Sequence, residues 1–483
     1  MKNKFILLSL FSFAFIFTSF AQNYDLSTSL KINDKAKLNS EVIIQVEVTN
    51  HGTQEINYFD INYKIDNGAI VTERINSNLK PKETKEFSLS KSWKAEKAAQ
   101  LYDISAWATN INGYSDENSS NDISSKNVFV NHGITTTKRV LFEQITEVEN
   151  GQSTDGLAKL IDLKDVYGDD LIIINIHKND DIQLFTFEGN DIMNTLGGTI
   201  PSGIIDREKW TGFDHVGIPR DNWTTKVAER MALSAPVEVK IDNITVDALD
   251  VSIDVSINFV DDVIGDIRVS CVIVENYVMD KGVNYDQVNA YNNVYGHHFY
   301  GLGNPITDFP HHRVVRRYFT TGAWGDVMNI DSFFPPHIYE IGTQYAKSFD
   351  RQMYVGPNPN QLWAVVFVSK YDYQGIDDYE VLNVTHKKLN NVSVEENPML
   401  NNVSEIYPNP VNDIGRISFK IKNTETVSLE IFNPLGQKVK QYDTKTYSAG
   451  KQNYYFNVAE LDKGIYLAKL KIGNKIYVKN FIK

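Results

Sequence analysis

The sequence predicts a multidomain, mainly β chain interrupted by one α/β stretch. Alternating apolar and polar residues recur along most of its length, and the runs are separated by Asn, Asp and Gly turns. Helical periodicity is confined largely to residues 136–234, where it alternates with strand-like runs. The 483 residues also exceed what one core usually serves, at ~100–200 residues per domain. With 25 Tyr and 25 Phe the composition suits strands joined by polar turns.

The N-terminal stretch MKNKFILLSLFSFAFIFTSFAQ places Lys2 and Lys4 before an apolar run from Phe5 to Phe17, then Ser19-Phe20-Ala21. This is the pattern of a secretory signal peptide over residues 1–21. A membrane anchor needs about 20 apolar residues, more than this run supplies. No cysteine follows the cut, which excludes a lipoprotein. The sole cysteine, Cys271, precludes an internal disulfide. It alternates with Ile267, Val269 and Ile273 on one strand face, so a buried structural thiol is expected rather than a nucleophile. The net charge of −13 argues against a nucleic-acid partner.

Residues 22–135 read as a β-sandwich. Val42, Ile44, Val46 and Val48 share one face, Phe59, Ile61, Tyr63 and Ile65 another, and Asp66-Asn67-Gly68 makes a hairpin turn. Within it, SDENSSND (Ser115 to Asp122) offers oxygen ligands for calcium but lacks the spacing of a defined calcium loop. A solvated turn is the competing reading. Residues 136–234 read as an α/β domain. KRVLFEQIT is a strand, STDGLAKLIDLKDVYG a helix with Leu157, Leu160 and Ile161 on one face, and DDLIIINIHKND a strand buried on both faces. A short helix near GNDIMNTLG and one over DNWTTKVAERMAL follow. Residues 235–392 read as a second β-sandwich with a loop-rich middle, residues 393–404 as an Asn-rich linker, and residues 405–483 as a compact β-module.

The C-terminal module resembles the sorting domain of the type IX secretion system. The matching motifs are YPNPVND with Pro408, Asn409 and Pro410, IFNPLGQKV with Gly436, and LDKGIYLAKL with Gly464 and Tyr466. The resemblance implies export through the type IX machinery of a Gram-negative bacterium. The product is then secreted or held at the outer-membrane cell surface, with anchoring to surface glycolipid as one outcome.

Residues 136–390 resemble the family related to the 28-kilodalton outer-membrane protein, a thioredoxin-like group. Asn150-Gly151-Gln152-Ser153 stands where many members carry a C-G-x-C pair, His177 follows the second strand, and Pro201 in IPSGIIDR is implied to be cis and to face the loop. Exchange between thiols and disulfides requires a thiolate and a second sulfur. Asn150 cannot attack, and Ser153 needs a general base. The domain is therefore expected to be degenerate and without oxidoreductase activity. A strand beside Pro201 and the 150–153 loop could still pair with an extended peptide.

Two other constellations remain. His297, His298, His311 and His312, with Asp308, could assemble a zinc site if their loop folds back, although neighbouring strand residues point to opposite faces. The pair Asp261-Asp262 is adjacent, a poor geometry for glycoside hydrolysis, which needs carboxylates ~5–9 Å apart. No nucleophile elbow, phosphate loop or dinucleotide fingerprint occurs. The sequence therefore points to an exported, non-catalytic protein without a cofactor, binding a peptide, glycan or envelope component. The alternative is a metal-dependent enzyme using the histidines of residues 297–312.

Overall fold

The computed structural model describes residues 22–178, 180, 184–247, 250–279, 285–328, 337–353, 357–371, 378–389, 403–421, 423–433, 437–473 and 475–483. The expected signal peptide, residues 393–402 of the expected linker, and Gly436 lie outside them. The chain divides into two units. One holds the residues up to Ile134 with Asp261–Ile264 and Ile338–Gly342, and the other holds the rest.

The first unit contains the expected sandwich. Strands Leu26–Leu30, Gln45–Asn50 and Thr84–Ser88 form one sheet. Lys35–Lys37, Ile123–Asn131, Gln100–Thr109, Ile56–Ile65 and Val71–Leu79 form the other, in those orders. Alternation buries Ile44, Val46 and Val48 against Phe59, Ile61 and Tyr63. The hairpin turn places Asp66 at φ 48°, in the left-handed region that Asp tolerates. Asp261 caps the end of this module, accepting from the His132 and Gly133 amides, both at 2.9 Å.

The second unit is built on one sheet of nine strands. Its order is Ile218–Pro219, Ser202–Ile205, Val140–Thr146, Leu171–His177, Val314–Tyr318, Ile267–Glu275, Leu362–Lys370 and Val381–Lys388, with Asp326–Val327 pairing on Ile267–Glu275. Helices α1 (Ser153–Tyr167), α2 (Phe187–Leu196) and α3 (Trp223–Met231) connect its first strands. Val140–Thr146 runs parallel to Leu171–His177 and antiparallel to Ser202–Ile205. All seven of its residues are buried because helices cover both faces. Val140 and Phe142 meet Leu160, Leu163 and Trp223 from α1 and α3, while Leu141 and Ile145 meet Ile192 and Leu196 of α2. A β-carbon on Gly203 would come within 2.4 Å of Phe142 Cζ, so only glycine allows this approach.

The expected boundary at 234/235 does not separate two bodies. Strands from the 235–392 region extend the sheet begun at Val140. A second, three-stranded sheet of Val237–Asp247, Asp250–Phe259 and Gln344–Gln352 accompanies it. Periodicity along a strand reports which faces are buried and says nothing of which strand lies alongside, so this continuity was not readable from it.

Buried charge ties the parts together. Arg207, fully buried, makes a bidentate pair with Glu143 at 2.7 and 2.8 Å. Its neighbour Asp206 binds Lys138 at 3.0 Å and Arg230 at 2.9 Å. Lys138 also donates to the Val381 carbonyl at 2.9 Å, and Arg230 reaches Glu380 at 2.8 Å.

The last module is a sandwich as well. Val403–Tyr407, Ile414–Ile421 and Gly450–Asn457 form one sheet. Glu425–Phe432, Lys438–Gln441, Ile465–Ile472, Lys475–Ile482 and Lys445–Tyr447 form the other.

Candidate functional site

The chain leaves the sheet at Thr146 and turns through residues 147–152 into α1, where the resemblance noted above would place a redox pair. Asn150 and Ser153, the residues at those positions, are built into the loop. Asn150 Nδ2 donates to the Ile200 carbonyl at 3.1 Å, and its Oδ1 accepts from the Gln152 amide at 2.9 Å. Ser153 is fully buried and accepts on Oγ from the Glu147 amide at 3.3 Å. The Ile200–Pro201 bond is cis, and a β-carbon on Gly156 would lie 3.3 Å from Pro201 Cβ. Pro201 thus faces the first turn of α1, and the loop is bolted to the residue before it.

Beneath the loop, Asp180 pins two elements. It binds His177 Nδ1 at 2.5 Å and accepts from the Val148 amide at 3.0 Å. His311 packs edge-on against His177, with ring centroids 5.1 Å apart, and its Nε2 contacts the Tyr285 carbonyl at 2.9 Å. Burial pushes His311 down to about 3, so it is held neutral.

A strap of the same chain covers the loop. The Val288 amide donates to the Val148 carbonyl at 2.9 Å and the Ala290 amide to the Gly151 carbonyl at 3.2 Å. The Gln287 side chain, 1% exposed, donates to the Val148 carbonyl at 3.1 Å. A β-carbon on Gly151 would approach Ala290 Cβ to 3.0 Å, so glycine is what lets the strap lie this close. Further along, Phe299, Ile306 and Phe309 pack on Ala158, with Leu157 and Ile161 of α1 against them. Asn289 knots the strap by donating to the Phe299 and Gly303 carbonyls at 2.8 and 3.0 Å.

At the rim, Arg220 joins Asp155 and Gln152, and the Tyr291 hydroxyl donates to Gln152 Oε1 at 2.7 Å. Tyr291 stacks on His297 at 4.2 Å, and His297 Nε2 lies 3.4 Å from Asp155. Burial lowers the His297 pKa, outweighing the Asp155 carboxylate that raises it.

The structure does not bring the proposed zinc ligands together. His297 belongs to the rim. His298 contacts Tyr407 through Nδ1 and Asp162 through Nε2 at 3.0 Å. His311 is interior, His312 lies edge-on to Tyr277 at 4.4 Å, and the Asp308 amide donates to Asp286. Each imidazole is directed at a different neighbour. Among the described residues, the grouping with metal-ligand geometry is His132, Asp261 and Asp262. Asp261 there accepts three amides, and Asp262 is held by His132 at 2.7 Å and the Ile341 amide at 2.9 Å, which marks a clasp. Cys271 is fully buried, and desolvation pushes its thiol far above the ordinary range. What sequence reasoning missed is the strap and the Glu143–Arg207 pair. The available signal was two charged residues inside otherwise apolar runs, FEQI and IIDR.

Two of the C-terminal motifs, YPNPVND and LDKGIYLAKL, meet at the C-terminal end. The Tyr407–Pro408 and Asn409–Pro410 bonds are cis, and Asn409 Oδ1 accepts from the Ile482 amide at 2.7 Å. Gly464 exchanges backbone hydrogen bonds with Lys483, and Tyr466 stacks on Phe481. Residues 405–483 match the family model of the secretion system C-terminal sorting domain. This module is a secretion sorting domain. It marks the chain as cargo of the type IX system, and the expected destination, the medium or the outer-membrane surface, is borne out. Residues 194–393 match the family model described as outer membrane protein Omp28. That match begins within α2, so the 150–153 loop lies ahead of it while the strap lies inside it.

No curated protein matches the chain. Among solved structures, it is similar to the CARDB domain of a Pyrococcus furiosus protein, in complex with di-metal ions. The identity is 25%, over 23% of this chain and 97% of that one, with a TM-score of 0.20. It is also similar to a Listeria innocua beta-glucosidase in complex with isofagomine, at 13% identity over 22% of this chain and 16% of that one (TM-score 0.15). A Salmonella alpha-2-macroglobulin reacted with methylamine is 8% identical over 96% of this chain and 23% of that one, with a TM-score of 0.21. At these scores none of the three bears on activity.

Proposed function

We propose that this is an exported binding protein of the cell envelope or medium, with a thioredoxin-like unit that performs no thiol chemistry. The supporting observation is the strap. The backbone edge on which an extended peptide would add, at Val148 and Gly151, already carries Val288 and Ala290. The loop side of the peptide-pairing surface expected beside Pro201 is thus occupied by the chain's own segment. A glycan or envelope ligand engages another surface. The sorting domain delivers the protein to the compartment where such ligands are met.

The test uses the exported form purified from washed cells and from medium. Saturable binding to isolated outer-membrane vesicles, with insulin reduction by dithiothreitol proceeding at the rate of buffer alone, supports the proposal. Catalysed insulin reduction, or absence of saturable binding, overturns it.

A further inference from the structure

The strands Leu362–Lys370 and Val381–Lys388 pair antiparallel at one end of the long sheet, with Trp363 opposite Lys388 and Val365 opposite His386. Opposed residues, and residues two apart along a strand, share a face, so Trp363, His386 and Lys388 stand together. The rings of Trp363 and His386 pack with centroids 5.2 Å apart. Just ahead of the strand Val314–Tyr318, the Arg313 guanidinium lies over the Trp363 ring, 4.6 Å from its centroid. Trp363 Nε1 and His386 Nδ1 are both buried and have no hydrogen-bond partner among the described residues.

Two further cations border this group. Lys164, in the last turn of α1, donates to the Leu171 carbonyl at 2.8 Å. Arg139 donates to Thr385 Oγ1, on the residue before His386, at 3.2 Å. After burial itself, the charges of Arg313, Lys164 and Arg139 are what disfavour a proton on His386, and Arg313 does the same to Lys164. The carboxylates that meet these outer cations are Asp169, 3.7 Å from Lys164, and Asp170, 3.7 Å from Arg139, with side chains 43% and 57% exposed.

The chemistry of the group is one-sided. An indole N–H only donates, ammonium and guanidinium groups have no acceptor, and a neutral imidazole can carry its proton on Nδ1. Buried donors without acceptors are costly, and so is gathered positive charge. A group that brings several acceptor oxygens and negative charge together relieves both, and charge-assisted hydrogen bonds from Arg and Lys are the strong kind.

We propose that Arg313, Trp363, His386 and Lys388, flanked by Lys164 and Arg139, form a binding site for a compact oxyanion, a phosphate or sulfate group. The cations supply the charge, and the two ring nitrogens supply fixed donors. The reading does not depend on the ligand class proposed above.

The exported full-length protein is titrated calorimetrically with sodium phosphate and with sodium sulfate, at ionic strength held constant with sodium chloride. The expected result is saturable binding of at least one of the two anions. Affinity should fall about tenfold in Lys388→Gln and about five- to tenfold in Trp363→Phe, which keeps an aromatic ring for Arg313 and removes the N–H donor. Lys388 is half-buried and its change to Gln opens no core, so an unchanged urea midpoint in that variant separates loss of a ligand contact from loss of fold. Glucose 1-phosphate distinguishes the source. Binding tighter than inorganic phosphate assigns the site to the phosphorylated end of a glycan, weaker binding assigns it to the free ion, and either supports the site. Failure of both anions to saturate by about 10 mM overturns the proposal. So does an affinity unchanged in both variants.

Discussion

Placing sulfurs at residues 150 and 153 tests whether the strap would bar a protein disulfide from this loop. In the double variant Asn150→Cys and Ser153→Cys, two thiols stand at i and i+3 at the start of α1, where the helix N-terminus favours a thiolate. Chemistry on a protein disulfide then requires the strap to leave. That means breaking the Val288–Val148 and Ala290–Gly151 backbone bonds and the hold of the Gln287 amide group, which donates to the Glu147, Val148 and Asn150 carbonyls. At ~0.5–1.5 kcal/mol each, the three together cost about 3 kcal/mol, an open fraction of about one in a hundred. Insulin reduction by the double variant is therefore expected to run about 100-fold below that of the same variant with the strap loosened. Gln287→Ala, which removes one of the three contacts, should recover about five- to tenfold of that. Thiol labelling with a small reagent in native buffer gives the open fraction directly. A double variant that reduces insulin equally fast with and without Gln287→Ala would refute the reasoning, because the strap would then be no barrier.

Four further outcomes follow from the geometry. Arg207→Met leaves Glu143 buried without its cation and should lower the urea-unfolding free energy of the second unit by about 3–5 kcal/mol, while adding Glu143→Leu should recover much of it. Gly203→Ala forces a β-carbon toward Phe142 and Trp223 and should cost about 1–3 kcal/mol in the same assay. His311, held down to about 3, and His386, held down to about 2, stay neutral in the folded state where the unfolded chain takes up protons. Stability of the second unit should thus be fully present above about pH 6.5 and fall as pH drops below it, by about 1.4 kcal/mol per pH unit for each histidine, and His311→Gln should flatten the slope. Asp122 carries the opposite sign: its raised pKa makes the first unit less stable as pH rises from about 4 to 6, to be read in thermal melts.

Much of this was legible in the sequence where one physical rule operated alone. Alternation at Val46 and Val48, continuous apolarity in LIIINIH, and the Leu160 stripe of α1 each report burial of a local face, and each element formed where expected. The sorting domain was legible because its motifs are ordered along the chain, with Asn409 meeting Ile482 and Gly464 meeting Lys483 at the C-terminal end. The strap was not legible. Residues 285–311 contain isolated bridges and no regular strand, so they carry no period. Their contacts with residues 148–161 are long-range pairings specified by Gln287, Asn289 and three apolar residues. The histidines misled for a related reason. Proximity along the chain placed them together, and the backbone sent His297 to the rim and His311 to the interior.

The side chains at residues 150 and 153 and the presence of the strap belong together. A thiol at residue 150 could not replace the two bonds of Asn150, to the Ile200 carbonyl and from the Gln152 amide. Those bonds fix the loop against the segment of Pro201, and a fixed loop is what offers the Val148 and Gly151 carbonyls to Val288 and Ala290 at stable positions. A working dithiol site needs the reverse, an edge open to a partner and a loop free to form and break a covalent bond. The buried network at Asp206 and Arg207 completes the conversion, because it holds this α/β unit to the strand Val381–Lys388. The α/β part of the second unit is here one end of a longer sheet, and the loop at residues 150–153 is an internal joint.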